Sequence, residues 1–483
     1  MEFPLSELLP FANIITLLIF ACTALVADLF MQKRYPHLSY YIALVGIVVA
    51  LGLTVNSTIS QTALLQGQAI QDGVGQFLQV FVLVSVLGAL VYGRHYVLER
   101  KIMQGEYYVL ATLSTLGMLV LVSAHSLLTL YLGVEIMSLP LYAMVALRKE
   151  HAASVEASLK YFIMGAIASA MLLYGFSLIY GITGHIVLSD IAASLKTVPA
   201  SQHIILEFAL VFIVAAVGFK LAAVPFHMWA PDVYTGAPTS VTIFLSSAPK
   251  VAAVAMLMRL MVIAMPSMLP EWRNILIVLS ILSMGIGNLL AIAQTNFKRM
   301  LAYSAISHAG FILLGFIGGN AEGYAAAIYY IAVYVLMTLG AFGIILLLSK
   351  QGFEAEMIED LRGLNKRNPW LAFMLLLIMF SLAGIPPLVG FFAKLFVLSE
   401  VVNVGLTWLA VVALLFAIMG TFYYIRIVKT MYFEDPIETS AMVTASDTRT
   451  LFTLNSLMLI VLGLLPAALW TWSQTAVTTL LKG

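Results

Sequence analysis

What constrains this chain most is the recurrence of apolar runs long enough to cross a lipid bilayer. A spanning helix needs about 20 mostly apolar residues, because the hydrocarbon layer is about 30 Å thick and a helix rises about 1.5 Å per residue. That rule predicts about fourteen segments, at 8–30, 38–58, 74–93, 107–123, 126–147, 157–180, 204–229, 237–265, 272–293, 299–317, 323–349, 369–400, 405–430 and 450–475. Inside lipid every backbone N–H and C=O must find a partner within the protein, so such runs fold as packed helices. The expectation is an all-α polytopic membrane protein whose residues 1–483 form a single membrane domain. Composition agrees: the chain is 62% hydrophobic and 10% charged, where soluble domains carry about 25% charge. The first run is long enough to span and lacks a small-residue cleavage site, so it is expected to stay.

Orientation follows from the enrichment of Lys and Arg in inner-side loops. Sixteen basic residues, among them Lys33, Arg148, Lys298, Arg299 and Arg449, follow odd-numbered segments; four, Lys196, Arg259, Arg273 and Lys482, lie on the opposite side. This asymmetry predicts both termini on the outer face. The main polar connection, KQGFEAEMIEDLRGLNKRN at 350–368, mixes signs and reads as a solvated inner-face loop. A net charge of +1 offers no argument for a nucleic-acid partner. Cys22 is the only cysteine, which excludes disulfides within the chain and Cys-ligated clusters or zinc sites; it reads as an apolar filler of the first helix.

Four of the 24 basic residues remain, Lys160, Lys220, Lys250 and Lys394, and all fall inside apolar segments. Of the 23 acids only Glu135, in LGVEIMSLP, is central to one. A central charge costs about 2.5–3.5 kcal/mol, so four lysines would cost on the order of 10 kcal/mol, comparable with the stability of a whole domain. Their persistence makes sense where they face a wet internal path and can shed charge. One carboxylate cannot neutralise four ammoniums, and burial and mutual repulsion both favour the neutral amine. Proton exchange is therefore the expected chemistry, with Glu135 paired to Lys220 as its control. Lys160 lies four residues after Glu156 in SVEASLK, where a snorkelling lysine in an i,i+4 pair explains it as well as a proton site does. His227 and His308 are candidate relays, each equally readable as a satisfied core histidine. His125, His185 and His203 read as interfacial.

The prolines localise the wet path. Pro225 and the pair Pro386–Pro387 fall within segments longer than a simple straight span, and the backbone groups they free are tolerable at depth only along a wet cavity or against protein. Both segments are expected to be discontinuous helices. Interrupted spans at corresponding places in two halves point to a transport site built from inverted repeats. Lys220 lies five residues before the first break and Lys394 seven after the second, an order that suits an inverted pair.

Four blocks carry a family resemblance: VGFKLAAVPFHMWAPDVYTGAPTSVTIFLSSAPKVA, LGVEIMSLPLYAM, NFKRMLAYSAISHAGF and SLAGIPPLVGFFAKLFVL. Over roughly residues 75–430 the chain resembles the antiporter-like subunits of respiratory complex I, whose types are called L, M and N. A lysine in the second broken helix, and an end soon after the fourteenth segment with no long lateral helix, favour the N type. The resemblance implies two inverted five-helix repeats, at about 107–265 and 272–430, each with a discontinuous helix. Helices at about 8–93 and 450–475 would flank them. It matches Glu135, Lys160, Lys220, Lys250 and Lys394 to the family's proton-carrying positions, and His227 and His308 to its relays. It further implies a bacterial inner-membrane subunit beside K- and M-type neighbours, with FMN, iron–sulfur clusters and quinone handled elsewhere and no cofactor on this chain. The rival of the same fold is a subunit of a multi-subunit Na⁺/H⁺ antiporter or membrane-bound hydrogenase. A self-contained solute carrier would need a shaped ligand pocket, and a scaffold would tolerate neutral replacements of its lysines.

Overall fold

The computed structural model describes residues 5–31, 34–59, 62–436 and 445–482, so Lys33 lies outside the described residues. The helices that build the bundle run in chain order as α1 (Ala12–Met31), α2 (Leu38–Val55), α3 (Gly73–Glu99), α4 (Gln104–Ser123), α5 (Leu127–Val145) and α6 (Ala152–Thr183). Then come α7 (His203–Leu221), α8 (Trp229–Gly236), α9 (Thr239–Leu257, continued by a wider turn to Ala264), α10 (Leu269–Ile292), α11 (Phe297–Ile317) and α12 (Ala321–Leu348). The last five are α13 (Pro369–Ala383), α14 (Val389–Asn403), α15 (Thr407–Phe433), α16 (Ser446–Leu464) and α17 (Pro466–Lys482). Among the described residues β structure is limited to isolated bridges.

Twelve helices are long and apolar enough to cross a membrane, or thirteen if one bent pair counts as a single span. Each of the fourteen apolar segments holds a helix or a broken pair; α13 and α14, at 15 residues each, are individually short of a span. The terminal run, expected as one helix over 450–475, is instead α16 and α17 meeting at 80°. Pro466 explains the corner: it excludes helical backbone at Leu465, which sits at φ −124°, and opens the next helix at its first position, where a missing N–H costs nothing.

Helices that are apolar all round belong in the interior. α9 is wholly enclosed along its most apolar stretch, α11 94% and α12 89%, whereas α1 is 17% buried. The carriers of Lys250 and His308 therefore form the centre of the bundle. Cys22 is exposed on α1 rather than packed inside. A short helix the apolar-run rule could not register, Leu188–Leu195, buries Leu188, Ile191 and Leu195 at helical spacing.

The two breaks are built alike. α7 ends at Leu221 because Ala222 takes left-handed backbone (φ 57°), and α13 ends at Ala383 before left-handed Gly384 (φ 86°). In each case two hydrogen bonds reverse the chain: Ala222 N to Phe219 O at 3.0 Å with Ala223 N to Gly218 O at 2.8 Å, and Gly384 N to Ser381 O at 3.0 Å with Ile385 N to Phe380 O at 2.9 Å. This is the Schellman helix ending, and it leaves the last carbonyls of the helix without backbone partners. Each break also contains a cis peptide bond, Val224–Pro225 and Pro386–Pro387.

Candidate functional site

The carbonyls left over at both breaks are taken by lysines. Lys250 of α9, 3% exposed, donates from Nζ to Leu221 O at 2.5 Å. Lys394, on the far side of its own break, donates to Leu382 O at 3.0 Å and Ala383 O at 2.8 Å. An ammonium at a helix C-terminus meets the negative end of the dipole, so the position favours the cation without supplying a full counter-charge. The ring of Trp229 lies under Lys250 (5.9 Å) and that of Phe311 under Lys394 (5.4 Å).

Lys220, on the last turn of α7 and 8% exposed, donates to Ser138 Oγ at 2.6 Å. Among the described ion pairs none joins it to Glu135, whose buried Oε1 has no hydrogen-bond partner. Glu135 stands one turn from Ser138 on α5, so the hydroxyl occupies the place expected for the carboxylate. Lys220 and Lys250 meet at one break: Lys220 stands on α7 next to Leu221, whose carbonyl accepts from Lys250. The three interior lysines therefore share one feature: each ammonium is bonded to a neutral oxygen.

Lys160 differs. Its side chain is 43% exposed and binds Glu156 Oε1 and Asp232 Oδ2, both at 2.8 Å, while Arg299 holds the other oxygen of Asp232 at 2.8 Å. Two acids and two bases thus meet where α6, α8 and α11 converge. Asp232 lies in WAPDVYTG with no local signal for such a role, and its place as the hub of this cluster comes from the fold. His227 lies in the first break, partly buried, with Nδ1 unpartnered.

His308 is 3% exposed and bonded on both ring nitrogens, Nδ1 to Tyr330 Oη at 2.8 Å and Nε2 to Tyr424 Oη at 3.1 Å. Tyr424 also meets Ser304 Oγ at 2.5 Å. A cavity lined by His308, Lys394, Asn288 and Tyr424 joins the histidine to the second break; its volume of about 10 Å³ is at the lower limit for one water. These tyrosines gave no sequence signal, since aromatics are spread throughout the chain. Between Lys250 and His308 no hydrogen bond closes the gap among the described residues. Trp229, Tyr234 and Tyr334 line the way instead, Trp229–Tyr234 at 6.0 Å and Tyr334–His308 at 5.2 Å between ring centres.

Two residues counted with the loops are in fact enclosed. Arg259, 2% exposed, forms an ion pair with Asp72 and donates to Val122 O at 3.0 Å. Nearby His125 is pulled down to about 4 by burial and by Arg259. Lys298, 1% exposed, donates to Ala237 O at 2.7 Å. The loop after α12 is likewise not simply solvated: Glu354, 17% exposed, accepts from Tyr96 Oη at 2.7 Å and pairs with Arg100 at 3.0 Å. Burial pushes the Glu354 carboxyl up, but Lys298, Thr239, Tyr96 and Arg100 outweigh it and hold the group below the usual carboxylate range. Spacing alone cannot tell a folded-in loop from a solvated one when its charges find partners from distant helices.

A family model described as NADH:quinone oxidoreductase/Mrp antiporter, TM, matches residues 124–420. NADH-quinone oxidoreductase subunit N of Nitrosomonas europaea is 48% identical over 478 residues, 99% of both chains. The chain belongs to the subunit N family of NADH-quinone oxidoreductases. A chain of respiratory complex I from Thermus thermophilus superposes with a TM-score of 0.81 at 32% identity, covering 95% of this chain and 98% of that one. A chain of the Mrp complex from Dietzia sp. matches with a TM-score of 0.82 at 20% identity, covering 98% and 97%, a likeness of fold alone. For an N subunit, bonds from interior lysines to neutral oxygens are chemically apt. Such oxygens accept from an ammonium and leave no bare carboxylate when the proton departs. Among the described residues no group of His, Cys, Asp and Glu is arranged to hold a metal.

Proposed function

We propose that this N subunit moves protons along Glu135, Lys220, Lys250, His308 and Lys394, with Lys160 and His227 beside the first break as accessory groups. The chain is a proton-translocating membrane subunit of NADH-quinone oxidoreductase and belongs to its multi-subunit complex. On this reading Glu135 biases Lys220 from one turn beyond its partner Ser138, Lys250 and His308 carry the proton centrally, and Lys394 passes it outward. Two inverted repeats, at about 107–265 and 272–430, make up the working part of one membrane domain, with helices at about 8–93 and 450–475 flanking. The matching helix endings at 218–223 and 380–385 support that division. K- and M-type subunits cover its ends, and flavin, iron–sulfur clusters and quinone are held by other subunits. The membrane is the bacterial inner membrane with both termini outside, a reading supported by the asymmetry of basic loop residues.

One observation carries the assignment: Lys220, Lys250 and Lys394 each donate to a neutral oxygen. Lys220→Arg tests it, because a guanidinium keeps the charge and the donors but does not deprotonate in proteins. In sealed inverted vesicles the variant complex should assemble on a native gel and fail to acidify the lumen with NADH. Acidification at the unmodified level would remove Lys220 from the path.

A further inference from the structure

A cleft of about 480 Å³ opens on the basic face between the start of α9, the first turn of α11 and the loop after α12. Exposed Gln351 stands at its rim, and Ala237 and Lys298 lie deep within it. A structural ion-pair network would give the enclosed Lys298 ammonium a carboxylate. Instead it bonds the neutral Ala237 carbonyl, and none of the described ion pairs includes it. Glu354 and Glu356 influence it only through space. Glu354 is held in the same cleft by Arg100 and Arg148 at 3.0 and 3.7 Å, and it also accepts from Thr239 Oγ1.

Thr239 opens a row. Along α9, Thr239, Thr242, Ser246 and Lys250 follow one another at steps of three and four residues, which places them on one helix face. The three hydroxyl residues are 0% exposed. The row spans about 16 Å at a rise of about 1.5 Å per residue. Their burial is met by bonds: Thr242 donates to Tyr234 O at 2.9 Å and Ser246 to Ile243 O at 3.2 Å, partners that aliphatic groups would not need. A hydroxyl has a proton to donate and lone pairs to accept with, so it can take one proton and release another.

We propose that this cleft is a water-side mouth of the proton path, with Glu354 and Lys298 as its loading pair and the hydroxyl face of α9 as its lead to Lys250. The inference rests on the proton-carrying reading of Lys250. Cleft water gives a proton to the neutral amine of Lys298, and the Glu354 carboxylate, kept ionised by Arg100 and Arg148, favours the ammonium through space. The resulting ammonium releases one to the row that begins two residues after the carbonyl it bonds. Each transfer moves a proton between lone pairs and breaks no other covalent bond.

The test uses the assembled complex in sealed inverted vesicles, with NADH oxidation and lumen acidification read together. Glu354→Gln and Lys298→Met should each lower the ratio of acidification to oxidation, and Glu354→Asp should restore it. Equal losses in the Gln and Asp variants would make Glu354 structural and overturn its part. A blocking experiment avoids altering the pair at all: Gln351→Cys in a Cys22→Ser background, with and without a bulky membrane-impermeant maleimide. The unmodified variant should pump and the modified one should not; pumping by the modified form overturns the mouth. Should these variants pump normally while Lys250→Ala does not, the entry route fails and the proton path through Lys250 stands. If Lys250→Ala also pumps normally, the functional reading itself fails.

Discussion

The two broken helices solve one chemical problem with different parts. At the second break the lysine capping the helix end comes from the continuation of that same broken helix: Lys394 of α14 binds the last carbonyls of α13. At the first, the cap is borrowed from a neighbour, Lys250 of α9, while the lysine of the broken helix itself, Lys220, reaches away to Ser138 on α5. One site is self-contained; the other ties three helices together through two amines. A proton arriving at or leaving Lys220 or Lys250 therefore alters contacts between helices, whereas the same event at Lys394 alters contacts within one. The first break is the better placed to sense a disturbance arriving through its neighbours, and the second to hand a proton on.

The largest effects should come from removing the capping amines. Lys250→Met and Lys394→Met should both abolish NADH-driven acidification in sealed vesicles, yet differ in what loosens. Without Lys250 the enclosed Leu221 carbonyl is orphaned, at about 1–3 kcal/mol for an unsatisfied buried acceptor. Hydrogen exchange should then rise both at 218–223 and along the contact of α7 with α9. Without Lys394 the rise should be confined to 380–385 and the start of α14. If exchange changed identically around both breaks, the distinction between borrowed and internal caps would fail.

The second test pushes one amine aside without removing it. Gly384 has φ 86°, and a Cβ there would lie 2.9 Å from Lys394 Cδ and 3.3 Å from its Nζ. Gly384→Ala therefore adds left-handed strain of about 1–2 kcal/mol and forces the flexible end of Lys394 from its carbonyls. Acidification should drop sharply while the complex still assembles, a result checked by native gel and vesicle assay on one preparation. Undiminished pumping would mean that Lys394 does not need its seat on the helix end.

How much of this was legible in the sequence depended on whether the signal was local. Long apolar runs, interior lysines and helix-breaking prolines are local, so the all-helical bundle, the two discontinuous helices and the enclosure of Lys220 and Lys250 could be read directly. Partners are not local. Ser138 rather than Glu135 receives Lys220 because two helices 82 residues apart in sequence meet at that depth. Lys298 and Arg259 looked like loop charges because they stand at helix ends, and only packing encloses them. Lys160 stood open between a surface pair and a proton site, and the fold adds Asp232 and Arg299 to its pair with Glu156. Tyr330 and Tyr424, which hold His308, were indistinguishable from the other aromatics until three helices converged.

The smallest expected effect sharpens the comparison most cleanly, because it changes the same structural position in the opposite sense. The first break makes its left-handed turn with Ala222, at φ 57° and fully buried, where the second uses glycine. Ala222→Gly relieves left-handed strain of about 1–2 kcal/mol. It gives back about 0.4–1 kcal/mol through the greater freedom of the unfolded chain, and about 0.8 kcal/mol more for the lost buried methyl. These terms nearly cancel, so the unfolding temperature of the purified complex should stay essentially where it was. Pumping should also persist, because the Lys250 cap depends on Leu221 O and on nothing beyond the Ala222 backbone. Gly384→Ala and Ala222→Gly thus form a pair with one geometry and opposed predictions. If Ala222→Gly silenced the pump as Gly384→Ala does, the turn's side chain, and not the seating of an amine on a helix end, would be what the two breaks have in common.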